Sequence, residues 1–153
     1  KELPAVDLPR AELEMTDFAP FKGLADMPLA MTAHILFPQI DPDRPATISS
    51  LIIEEIVRGY IGFEGLIVSD DVTMAALSGS DRERAEQSRE AGCDIVLHCF
   101  ADLPQMREIA VGCGRLSEIS RARFDSARRR VATKPKPINA AALETELATL
   151  LRV

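Results

Sequence analysis

No apolar run in this 153-residue sequence approaches the roughly 18 residues needed to cross a bilayer. Lys1 to Arg10 also lack the basic-then-apolar layout of a secretory leader. Cysteine is scarce: Cys93, Cys99 and Cys113 make an odd number, and no two stand at CxxC spacing. A disulfide framework or a zinc site is therefore not expected, and a reducing compartment is favoured. Cys93 and Cys99 lie in or beside an apolar run, where cysteine behaves as a small buried hydrophobe. An excess of positive charge is missing too. The formal net charge is −6, which argues against general affinity for nucleic acid or an anionic membrane. The basic run Arg121, Arg123, Arg128, Arg129 and Arg130 reads as a solvated helix face near a C-terminus, where cations complement the helix dipole. There is no Gly-rich phosphate loop. Histidine occurs only as His34 and His98. Nothing in the sequence implies a cofactor or a metal.

What is present is an alternation of short apolar runs and helical patterns. Residues 1–12, rich in proline and charge, read as an extended lead-in. Thr16 and Asp17 look like a helix start ahead of Phe18, Phe21 and Leu24. Leu29 to Ala33 is a strand-like run ending at His34, and the prolines between 37 and 48 mark a loop. Ser49 or Ser50 suits the N-cap of a helix carrying Leu51, Ile52, Ile53, Ile56 and Val57, with Gly59 on its C-terminal side. Leu66, Ile67 and Val68 form a buried strand that runs into Ser69, Asp70 and Asp71. Ser80 and Glu83 have capping-box spacing for a helix stopping near Gly92. Cys93 to Cys99 reads as a third strand, opened by Asp94 and containing His98, both read as structural. Helices follow over 101–111, ended by Gly112 and Gly114, over 117–131, and over 140–152 beyond a Lys134-Pro135-Lys136-Pro137 linker.

This order predicts an α/β fold of parallel βαβ units. Three strands do not close a barrel, and a (β/α)8 barrel needs about 250 residues. In parallel α/β proteins chemistry collects at the carboxyl ends of strands, which makes the Asp70-Asp71 pair the leading site candidate. An N-cap role for one of them is equally compatible with the spacing. A paired magnesium site of the phosphoryl-transfer or receiver type is disfavoured by the missing phosphate loop.

Five segments in order resemble the family-3 glycoside hydrolases, specifically bacterial β-N-acetylhexosaminidases. They are Met31-Thr32-Ala33-His34-Ile35; Ile40-Asp41 with Pro45-Ala46-Thr47-Ile48-Ser49; Arg58-Gly59 with Gly62-Phe63-Glu64-Gly65; Ser69-Asp70-Asp71-Val72-Thr73-Met74; and Ala91-Gly92-Cys93-Asp94. The resemblance covers about residues 1–130. It implies that Asp70 is the catalytic nucleophile of a retaining glycosidase. Asp71 and Ser69 would support that turn. Met74 would lie against the sugar, and His34, at a strand end, would touch substrate. It also implies terminal N-acetyl-β-D-glucosamine released from muropeptide fragments during peptidoglycan recycling in the cytoplasm.

Members of this kind carry an upstream Lys-His-Phe-Pro-Gly-His-Gly stretch and an Asp-His pair serving as general acid/base, and neither occurs in this sequence. The expectation is therefore the last three βα units of a TIM-type barrel over residues 1–133. A linker and terminal helix would follow over 134–153, and the upstream half of the same barrel would be the partner. Alone, the chain is expected to be inactive. A β-glucosidase of the same superfamily and a non-catalytic interaction fragment are the alternatives.

Overall fold

The computed structural model describes residues 3–131 and 138–151, so the expected linker at 134–137 lies outside the described residues. Three parallel strands, β1 (Leu29–Met31), β2 (Leu66–Asp71) and β3 (Ile95–Leu97), form one sheet in the order β1-β2-β3. Register is set by Leu29 opposite Leu66 and Met31 opposite Val68 on one side of β2, and by Val68 opposite Ile95 on the other. β1 and β3 are both edge strands. Leu29 and Met31 stay largely exposed on β1.

Between β1 and β2 lie a 3-10 turn (Ala46–Ile48) and a π-helix (Ile52–Tyr60). The helical run already begins at Ser50, and Ser49 caps it, its Oγ accepting the Ile52 N–H at 3.1 Å. The helix runs past the expected stop at Gly59. Its last turn closes with the Ile61 N–H on the Ile56 carbonyl, and Gly62, at φ +77°, provides the left-handed exit. Its apolar residues face two directions. Ile53 joins Phe63, Ile67, Ala91 and Cys93 in one core, and Ile52 and Ile56 join Leu13 and Phe18 in another.

Residues 10–12, expected to belong to an extended lead-in, instead open α1 (Arg10–Met15), and the short α2 (Ala19–Lys22) follows. An Arg10–Glu14 pair at 2.7 Å spans one turn of α1. Thr16 closes α1 instead of opening a helix, its hydroxyl donating to the Glu12 carbonyl at 2.8 Å. Pro9 at the N-cap and the fully buried Leu13 account for the earlier start.

After β2, α3 (Asp81–Ala91) opens with the expected Ser80/Glu83 capping box and ends at Gly92. It packs on α4 (Leu103–Cys113), which is capped by Asp102 and closed by Gly114. Gly112 lies inside α4, and its missing side chain permits the contact: an added Cβ would collide with the Arg82 carbonyl and sit 3.0 Å from the Ala85 methyl. The β3 run is also shorter than expected, since Cys93, Asp94, His98 and Cys99 fall outside the strand. α5 (Glu118–Val131) and α6 (Ala140–Leu151) complete the described chain. No helix among the described residues is long and apolar enough to cross a membrane.

Candidate active site

Parallel pairing brings the carboxyl tips of all three strands to one side of the sheet. There the strands part, and hydroxyl groups bridge the gap. The Asp70 N–H donates to Thr32 Oγ1 at 3.2 Å, and the Leu97 N–H donates to Ser69 Oγ at 2.9 Å, where a regular ladder would use carbonyls. The register slips between Val68 and Asp71 at this point. Ser69, fully buried, thus shares with the Val72 N–H, which donates to the Leu97 carbonyl at 3.2 Å, the task of keeping β3 attached while the chain changes direction.

Successive strand residues point to opposite faces, so the two carboxylates diverge. Asp71 is only 6 % exposed. Its Oδ1 accepts both the N–H of Thr73 at 3.0 Å and the Thr73 hydroxyl at 2.8 Å, forming an Asx turn. Burial alone would raise this carboxyl. The two hydrogen bonds from Thr73 outweigh it, with smaller help from the Cys99 thiol and nearby His98, and the group is held below the ordinary carboxylate range. The helix-capping alternative does not hold: Asp71 stabilises a turn, no helix begins there, and the next helix is capped by Ser80.

Asp70 is half-buried. Its Oδ1 accepts the Asp71 N–H at 2.8 Å, the one hydrogen bond that the described residues give its carboxylate. Asp70, Met74 and His34 line a single cleft of about 430 Å³, with Pro4, Ala33, Ile35 and Ala75 among its apolar walls. Met74 is 38 % exposed on that wall. His34 is only 4 % exposed. Its Nδ1 lies 2.8 Å from Thr47 Oγ1, and its Nε2 donates to the Asp71 carbonyl at 2.9 Å. His34 thus borders the cleft while both ring nitrogens are engaged inside the protein.

The remaining titratable residues stand apart. Asp94, with a 2 % exposed side chain, accepts from Arg58, Arg123, Ser120 and the Ile67 N–H at the opposite end of β2, so it is structural as expected. Arg123 therefore leaves the solvated face assigned to the basic run, whereas Arg130 stays exposed there and reaches the likewise exposed Asp26. His98 is buried at both ring nitrogens, which have no hydrogen-bond partner among the described residues. Cys93 is buried as expected, whereas Cys99 is exposed and Cys113 half-buried, and all three are free thiols. Sequence reasoning missed Thr32, Thr47 and Thr73 as parts of the site. The available signal was hydroxyls inside otherwise apolar or proline-rich runs that border the acidic turn.

A mixed α/β chain with a small parallel sheet, helices packed around it and a carboxylate in a cleft at the strand tips defines a class already suggested by the motifs. Residues 1–134 match the Glycosyl hydrolase family 3 N terminal domain, and the chain belongs to that family. Among its relatives is the Beta-hexosaminidase of Alkalilimnicola ehrlichii, 46% identical over 102 residues that cover 64% of this chain and 29% of the relative. A glycoside hydrolase family 3 beta-N-acetylglucosaminidase from Paenibacillus sp. str. FPU-7 superposes with a TM-score of 0.74 at 33% identity, over 91% of this chain and 30% of that one. NagZ from Neisseria gonorrhoeae, in complex with N-trifluoroacetyl-D-glucosamine, superposes with a TM-score of 0.68 at 34% identity, over 86% of this chain and 41% of that one. The chain thus spans less than a third of the length of the Alkalilimnicola relative.

Proposed function

We propose that the whole protein carrying this segment is a retaining β-N-acetylhexosaminidase and that Asp70 is its nucleophile. In this reading an Asp70 carboxylate oxygen attacks the anomeric carbon, and the bond to the leaving oxygen breaks as that oxygen takes a proton. The covalent glycosyl-enzyme is then hydrolysed by water with net retention. The observation that carries the proposal is the position of Asp70 at the carboxyl tip of β2, in a cleft shared with Met74. Its carboxylate there carries a single hydrogen bond from the described residues. Met74 supplies an apolar wall for the sugar face. Ser69 and Asp71 hold the turn.

The proton donor comes from outside these residues. Asp71 is engaged by Thr73, and His34 is engaged by Thr47 and the Asp71 carbonyl, so neither is placed to protonate a leaving group. We take residues 1–133 as the last three βα units of a (β/α)8 barrel, followed by a linker and terminal helix over 134–153. The upstream half of the barrel is the partner that covers β1, where Leu29 and Met31 stay exposed. The substrate is a terminal N-acetyl-β-D-glucosaminyl unit of muropeptide fragments, turned over in the cytoplasm during peptidoglycan recycling. The names of the relatives support the sugar, and the three free thiols suit a reducing compartment.

A 5-fluoro-glycosyl fluoride of N-acetylglucosamine should label Asp70 of the intact protein, as read by peptide mapping. Label on another residue refutes the assignment. The 153-residue chain alone should not turn over 4-nitrophenyl N-acetyl-β-glucosaminide, and measurable release would overturn the missing-donor argument.

A further inference from the structure

Behind Asp70 runs a chain of hydrogen bonds that begins and ends on the acidic pair. The Asp70 N–H donates to Thr32 Oγ1 at 3.2 Å. Thr32 Oγ1 lies 2.8 Å from Thr47 Oγ1, and Thr47 Oγ1 lies 2.8 Å from His34 Nδ1. His34 Nε2 closes the circuit on the Asp71 carbonyl at 2.9 Å. Chemistry fixes the direction of every bond in the neutral ring. A carbonyl only accepts, so Nε2 carries the imidazole proton and Nδ1 accepts. Thr47 therefore donates to His34, and its oxygen accepts from Thr32. Thr32 in turn accepts from the Asp70 amide. Each donor is used once, and each hydroxyl both gives and receives.

The circuit is buried at Thr47 and His34, half-buried at Thr32, and drawn from separate parts of the chain. Thr47 is fully buried in the 3-10 turn, and His34 is 4 % exposed beyond β1. Its two ends hold the N–H of Asp70 and the carbonyl of Asp71, so they bracket the backbone of both residues. The Asp71 N–H inside that bracket is the group that orients the Asp70 carboxylate, at 2.8 Å. Buried, fully satisfied networks of this kind rigidify the groups they hold. A displacement of about 1 Å at a reacting group costs up to about a hundredfold in rate.

We propose that Thr32, Thr47 and His34 are positioning residues: a one-directional hydrogen-bond relay that sets the aim of the Asp70 carboxylate, with His34 locked as its Nε2–H tautomer. This rests on the reading of Asp70 as nucleophile for its effect on rate, but not for its geometry. His34 then acts through the protein backbone and makes no polar contact with the sugar.

Two measurements on the intact protein decide the matter. Nitrogen-15 spectra of labelled histidine should show His34 protonated at Nε2 and bare at Nδ1. Thr47→Val should perturb the Nδ1 signal. A proton on Nδ1 overturns the relay, whatever the enzyme does. In kinetics, Thr47→Val should lower kcat and the rate of Asp70 labelling by about tenfold, the size of one lost net hydrogen bond, with KM little changed. Thr47→Ser, which keeps the hydroxyl, should return most of the rate. Labelling of Asp70 at equal rates in both variants overturns the positioning role while leaving the nucleophile in place. Label on a different residue removes the nucleophile, and the relay then stands or falls on the tautomer spectrum. Thr32→Ala and Thr32→Ser, at a half-buried position, give the same comparison should Thr47→Val not fold.

Discussion

Replacing Asp94 by alanine should remove a large fraction of the folding free energy without touching the cleft. The carboxylate gathers four donors: Arg58 Nη2 at 3.1 Å, Arg123 Nη1 at 3.0 Å, Ser120 Oγ at 2.7 Å and the Ile67 N–H at 2.9 Å. Its side chain is 2 % exposed, against 18% for Arg58 and 29% for Arg123. Burial and the neighbouring Arg123 charge already pull the Arg58 guanidinium below its ordinary value, with Asp94 opposing them. Alanine would leave two neighbouring cations without their shared anion and a strand N–H without an acceptor. Breaking a buried pair by removing one partner costs about 3–5 kcal/mol, and an orphaned buried donor costs about 1–3 kcal/mol. Arg58 keeps the Phe63 and Gly65 carbonyls, both at 2.8 Å. Arg123 is exposed enough to rehydrate, so the terms do not simply add. We expect about 4 kcal/mol, a large share of the roughly 5–15 kcal/mol that folded domains possess.

Asp94→Asn should recover little. One amide oxygen has two lone pairs for four donors, and its NH₂ group faces guanidinium. Arg123→Ala, at the more exposed arm, should cost about 1 kcal/mol. Urea unfolding followed by circular dichroism gives these numbers as midpoint shifts at constant slope. A loss below about 1 kcal/mol for Asp94→Ala would refute the hub, since it would mean that water already shields the two arginines.

Three further outcomes are expected. Burial, then the Asp94 charge, pushes the Cys93 thiol up to about 12. Its folded value is raised, so its contribution is intact below the ordinary thiol value near 9 and is lost as pH climbs from there toward 12, and Cys93→Ala should flatten that alkaline limb of the stability profile. The Asp71 carboxyl is held low in the folded state, so its contribution is present above about pH 4 and lost as pH falls through the folded value; Asp71→Asn should remove that part of the acid slope, and an unchanged slope would contradict the Asx-turn account. Gly112→Ala should destabilise by about 1–3 kcal/mol, because the new methyl meets the Arg82 carbonyl of α3; a neutral or stabilising result in thermal melts would show that the two helices move apart freely.

The order of elements along the chain and the acidic turn were legible because they rest on local patterns. Leu66, Ile67 and Val68 are an uninterrupted apolar run, and Ser80 with Glu83 is a capping box in any context. Boundaries were less legible wherever a tertiary contact decides. Gly59 looked like a stop and Gly112 looked like another, yet the first sits inside a π-helix that runs to Tyr60 and the second serves a helix contact. Cys99 follows an apolar run but is exposed, because β3 ends at Leu97. Arg123 belongs to a basic run by sequence and to Asp94 by fold. No periodicity encodes a partner 29 positions away.

The most consequential illegible feature is the separation of roles between adjacent carboxylates. Sequence spacing treats Asp70 and Asp71 alike. The fold distinguishes them because β2 stops pairing regularly at Val68, and the groups that take over are hydroxyls from Thr32 and Ser69. One carboxylate turns inward, its Oδ1 taking two hydrogen bonds from Thr73. The other, in the cleft, keeps a single hydrogen bond from the described residues. A nucleophile requires the second condition, and a rigid turn requires the first. Side-chain hydroxyls at a strand tip allow both in consecutive residues, since they release backbone carbonyls from the ladder without leaving the buried amides unpaired. The threonines and serine around this turn are therefore as much a part of the site's design as the acids they surround.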